Sequence, residues 1–100
     1  MAKLTVVYWR DIPAQVIVKA GRQTAKRQLD ERFEKAIDRA AMRADLKDTD
    51  SYLSEWRRAD PVDCGGDLEA EAEAAAQRLE AEFDPERLRE LAKSGGWNKA

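Results

Sequence analysis

The sequence predicts an α+β fold. It is a small two-layer domain with an N-terminal antiparallel hairpin, a third strand at 56–62, and helices packed on one face. Three observations carry this reading. β-Branched and aromatic residues are concentrated in Leu4–Ala20, apolar residues beyond Gly21 recur at helical spacing, and Asp30 and Asp84 stand where helix N-caps belong.

Within Leu4–Ala20, strand side chains alternate between faces. Leu4, Val6, Tyr8, Val16, Val18 and Ala20 therefore share one face, and Thr5, Val7, Trp9, Gln15, Ile17 and Lys19 share the other. The set with Leu4, Val6, Val16 and Val18 carries no charge and is the expected core face. The opposite set mixes apolar and polar residues, as solvated faces do, yet Val7, Trp9 and Ile17 give it more apolar bulk than solvation requires. Two readings follow: that face docks a partner, or another segment covers it and Trp9 is ordinary core. Between the strands, Arg10-Asp11-Ile12-Pro13 contains no Asn-Gly or Gly-Gly pair, so a loop wider than two residues is expected, with Arg10 and Asp11 at its tip.

Gly21–Leu29 holds Arg22, Lys26 and Arg27 without an acid and reads as a connection. A helix over about 31–44 follows, with Phe33, Ile37, Ala40, Ala41 and Ala44 as its apolar stripe. Lys47-Asp48-Thr49-Asp50 breaks it and caps a short helix through Tyr52 and Leu53 to about Glu55. The stretch 56–62 has no helical stripe and contains Pro61, which suits an edge strand. Asp63-Cys64-Gly65-Gly66-Asp67 reads as a turn into a helix ending near Phe83. Asp84 with Pro85 at the first helical position starts a last helix, closed by Gly95-Gly96, and 97–100 reads as a frayed tail.

At 100 residues the chain is one domain. Its absence of histidine removes the commonest general base and metal ligand, and its single cysteine leaves no internal disulfide and no zinc site of the usual type. No cofactor, no metal and no catalytic residue are expected. An enzyme using Asp11, Asp60 or Asp63 finds no support in their spacing. No apolar run reaches membrane-spanning length and no signal-peptide architecture is evident, so the expected location is cytoplasmic. Cys64 lies among acids that disfavour its thiolate. Residues 1–47 carry net +5 and residues 48–100 net −7. The halves can attract each other on folding, or the basic half can face an acidic partner.

These features favour a non-enzymatic accessory protein that binds a protein partner through Val7, Trp9, Arg10, Asp11, Ile12, Pro13, Gln15 and Ile17. The alternative is an RNA-binding module contacting phosphates through Lys19, Arg22, Lys26 and Arg27. Oligomeric state is not legible.

Taken together, Val-Val-Tyr-Trp-Arg-Asp-Ile-Pro-Ala-Gln-Val at 6–16, Arg-Phe-Glu-Lys-Ala-Ile-Asp-Arg-Ala-Ala-Met at 32–42 and Tyr-Leu-Ser-Glu-Trp at 52–56 resemble a small bacterial family, the virulence factor domain. That domain also occurs at the C-terminus of larger conserved virulence factor C proteins. The resemblance covers residues 3–83 and is closest at Trp9–Gln15. It implies a stand-alone, non-enzymatic bacterial domain of residues 1–83 and carries over no catalytic residue. The last helix and tail, 84–100, read as an addition within the same single domain.

Overall fold

A computed structural model of the chain describes residues 2–45 and 48–98; of the expected elements, Lys47 in the break and the last two tail residues lie outside this range. Strands β1 (Ala2–Trp9), β2 (Ile12–Ala20) and β3 (Gln23–Gln28) lead into helix α1 (Glu31–Arg43) and a short helix α2 (Thr49–Leu53). Strands β4 (Trp56–Arg58) and β5 (Val62–Cys64) precede helices α3 (Leu68–Glu82) and α4 (Pro85–Lys93). The five strands form one antiparallel sheet, ordered β3-β2-β1-β4, with β5 also paired to β1.

The α+β architecture stands, with three corrections. The helices do not keep to one face of the sheet: α3 covers the side of Leu4, Val16 and Val18, whereas α1 and α4 gather on the side of Trp9 and Ile12. Gln23–Gln28 is a strand, not a connection. Its partner register brings Ala25 opposite Val18, and Ala25 is its single buried residue. A strand whose inward positions are an alanine and an ion-paired arginine has almost no apolar alternation to betray it. The expected third strand is real but broken: β4 and β5 occupy the same edge of β1, interrupted around Pro61, which cannot donate to the ladder.

The helix starts follow from their caps. Side chains of Asp30, Asp48, Asp67 and Asp84 accept hydrogen bonds from Arg32, Ser51, Ala70 and Arg87 amides respectively. Each such cap stabilises its helix by about 1 kcal/mol.

Two apolar clusters divide the core. Helix α3 lays Leu68, Ala72 and Ala75 on Leu4, Val16, Val18 and Ala25, the face expected to be buried. The second cluster gathers Trp9 and Ile12 with Phe33, Ile37 and Ala40 of α1 and with Leu88 and Leu91 of α4. Helix α4 is thus part of the core. Ion pairs join the basic N-terminal half to the acidic C-terminal half: Lys3 with Asp63, Arg10 with Glu55, and Arg27 with both Glu69 and Glu73.

A β-bulge decides where Ile12 goes. Val7 pairs with Gln15 but Tyr8 pairs with Pro13, which leaves Ala14 as the extra residue. In unbroken register Ile12 would share the face of Val16. The bulge shifts it to the face of Trp9, its partner across the ladder. The Ala14 carbonyl accepts from the Leu29 amide at 3.1 Å.

Candidate docking surface

The expected docking loop is closed. Trp9, Ile12 and Pro13 are fully buried, and Val7 and Ile17 are buried as well. The loop is also tighter than expected. Arg10 and Asp11 alone connect Trp9 to Ile12, and Arg10 takes a left-handed backbone (φ +54°) without being glycine. That conformation costs roughly 1 kcal/mol or more in a residue with a Cβ.

The neighbours of Arg10 hold it there. Its guanidinium lies between two indoles, 5.1 Å from the Trp9 ring centre and 5.0 Å from that of Trp97. One terminal nitrogen donates to the Gly95 carbonyl at 2.8 Å and the other to Glu55 at 3.2 Å. The Arg10 amide donates to the Glu55 carbonyl. Asp11 is tied as firmly. Its amide donates to the Gly96 carbonyl at 2.8 Å, and its carboxylate accepts from the Asn98 amide at 2.7 Å and from Arg57 at 3.3 Å. Trp9 Nε1 donates to the Tyr52 carbonyl at 3.1 Å.

Gly96 (φ +95°) seals this arrangement. A Cβ there would stand 2.8 Å from Cζ3 of Trp9, a distance no real contact shows. Residues 97 and 98 are therefore part of the lid over the hairpin tip, and the expectation of a frayed tail fails at those two positions. The signal was present in sequence only as a tryptophan after a double glycine.

The basic segment is divided by the sheet. Register places Lys19 and Lys26 on the face opposite α3, whereas Arg27, opposite Val16, turns to α3 and is neutralised by Glu69 and Glu73. Arg22 sits apart in the turn after Gly21. The four residues do not form one cationic track.

Cys64 ends β5 half-buried, and its thiol is pushed up first by burial and then by the charges of Glu71 and Asp63. Among the described residues, no cluster of three or more cysteine, aspartate or glutamate side chains is arranged to hold a metal ion, and no helix is long and apolar enough to cross a membrane.

A different surface emerges where α1 and α4 lie side by side. Two adjoining stretches of groove, of ≈ 480 and ≈ 350 Å³, run between them. The floor is apolar: Ala36, Leu88 and Ala92 are buried, and Met42 projects at one end, 80% exposed. Cations form both rims. Helix α1 contributes Arg32, Lys35, Arg39 and Arg43, spaced i, i+3, i+7 and i+11 along one side, and α4 contributes Arg89 and Lys93. Arg32 pairs with Asp30 and Lys35 with Glu31. Among the described residues, Arg39, Arg43, Arg89 and Lys93 have no carboxylate within 4 Å.

The acids of α1 stand elsewhere on its circumference. Glu31, Glu34 and Asp38 share its opposite polar flank, so the helix is split lengthwise by charge. The helices run in the same direction, since the groove joins Arg32 to Pro85 at one end and Arg43 to Lys93 at the other. Arg43 and Lys93 lie in last turns, where helix dipoles welcome cations. Arg39 and Arg89 have no such role.

Comparison with known proteins now decides the lineage. The family model described as Virulence factor matches residues 7–92. The chain belongs to the virulence factor family. The match runs through α4, beyond the limit at residue 83 that the sequence resemblance suggested, in keeping with Leu88 and Leu91 in the core. No curated protein and no solved structure matches the chain.

Proposed function

We propose that this virulence factor domain is a non-enzymatic accessory module that binds a partner protein, and that it does so through the α1–α4 groove instead of the hairpin tip. The observation that carries the reading is the groove itself. It joins an apolar floor to two cationic rims, and four of their cations are exposed with no carboxylate partner among the described residues. Apolar contact supplies affinity, and the charged rims steer encounter and select the partner.

The absence of histidine and the raised thiol of Cys64 weigh against acid–base or nucleophilic catalysis near neutral pH. Division of Lys19, Lys26 and Arg27 between two faces of the sheet weighs against the RNA-binding alternative.

The test is affinity capture from the producing organism with three baits. Wild type and a control with Lys19→Glu and Lys26→Glu should retain the same partner, whereas Arg39→Glu with Arg89→Glu should lose it. Loss of the partner with the control bait, and retention with the groove variant, would overturn the proposal.

A further inference from the structure

Resting on the docking reading above, we infer that the occupant of the α1–α4 groove is an acidic amphipathic helix of a partner protein, its apolar stripe on Ala36, Leu88, Ala92 and Met42 and its carboxylates against the two rims. The groove's own chemistry selects this class. Its floor is a line of small and aliphatic side chains between parallel helices, which suits the ridge of a third helix. Its length suits one too. Helix α4, the shorter wall, spans 9 residues, about 14 Å at the helical rise, so two to three turns of a ligand helix fit between the rims.

Charge makes the same selection. Arg39 faces Arg89 across the floor, and Arg43 and Lys93 flank the far end. Like charges lining one cleft raise the local potential and leave an interaction that carboxylates would satisfy. Arginine predominates among them, and its planar fork takes carboxylates two oxygens at a time.

A nucleic acid is the poorer fit. No aromatic ring lines the groove to stack a base, and phosphates gain nothing from Met42 or Leu88. Exposure of Met42 at 80% adds to the protein reading, because a flexible thioether adapts to an apolar ridge.

The experiment is fluorescence anisotropy with labelled peptides of about 14 residues, long enough to cover α1. The probe carries leucine at i, i+4, i+7 and i+11 with glutamates flanking the stripe. Its comparators are a scrambled peptide of the same composition and a single-stranded oligonucleotide of similar charge. The ordered peptide should bind about tenfold more tightly than the scrambled one, and Arg39→Glu with Arg89→Glu should weaken it by about tenfold or more. Met42→Ala should weaken it by about threefold, while added salt weakens it without abolishing it.

Equal binding of the two peptides would reduce the groove to a charge patch and overturn the inference. So would tighter, groove-dependent binding of the oligonucleotide, or self-association of wild type abolished by the same arginine variant. If the ordered peptide fails to bind while the arginine variant still loses its captured cellular partner, the docking reading stands and this identification of the occupant falls.

Discussion

The hairpin tip and the α1–α4 groove both bring arginines to apolar surface, with opposite results. At the tip, Arg10 lies between Trp9 and Trp97, and its terminal nitrogens are taken by Gly95 and Glu55. In the groove, Arg39 and Arg89 flank Ala36 and Ala92 with no carboxylate to meet them among the described residues. The comparison teaches how to tell structure from function when residue types are the same. A tryptophan beside an arginine has the composition of an interface hot spot, and here the chain supplies its own partner. Arg10 is bound at both terminal nitrogens, only its buried Nε lacking a partner, and so serves the fold, whereas unpaired cations on a formed surface are what remain for another molecule.

The sharpest way to break this contrast is Trp9→Ala. If the tip is structural, the variant loses roughly 3–5 kcal/mol of stability, read by urea denaturation. A loss under about 1 kcal/mol would return Trp9 to the surface. Next comes Gly96→Ala, where a Cβ would meet the Trp9 ring at 2.8 Å from a left-handed backbone. It should cost roughly 2–3 kcal/mol, with a change in the near-ultraviolet signal of the indoles.

The groove should behave in the opposite way. Arg39→Glu with Arg89→Glu should leave stability within about 0.5 kcal/mol of wild type, since both side chains are exposed and unpaired. A larger loss would show that these cations serve the fold.

The smallest expected effect is a dependence on pH near the hairpin tip. Burial is the main cause that pushes the Tyr8 phenol up, reinforced by Glu82 and Asp11 and opposed by Arg57. A folded pKa above the unfolded value favours the neutral phenol. The resulting stabilisation is complete below the unfolded value of 10.0 and disappears as pH rises through the folded one. Denaturation midpoints should therefore fall at alkaline pH in wild type and fall less in Tyr8→Phe.

Much of the fold was legible because its signals are local. Asp30 and Asp84 mark helix starts in the sequence as clearly as in the structure, and the Leu4, Val16, Val18 face was visible from alternation alone. What escaped depends on distant partners. Gln23–Gln28 becomes a strand because Val16 and Val18 offer it a ladder, not because its own residues favour one. The two-residue turn at Arg10 is permitted by Glu55 and Gly95, far along the chain. The bulge that leaves Ala14 over moves Ile12 across the sheet, and no pattern in Arg10–Gln15 announces it. Half of the groove was written in α1 as Arg32, Lys35, Arg39 and Arg43, but only packing shows that Arg89 and Lys93 face them.

The bond from Arg10 to Gly95 joins positions 85 residues apart. A ribosome delivers the hairpin well before the glycines that close over it. Helix α1 and Tyr52 reach the indole of Trp9 earlier, but its cover is complete only once Gly96 has emerged, and contacts of such wide separation are the slow ones to form. The nascent chain therefore carries a partly open apolar tip until the segment around Gly96 has been made.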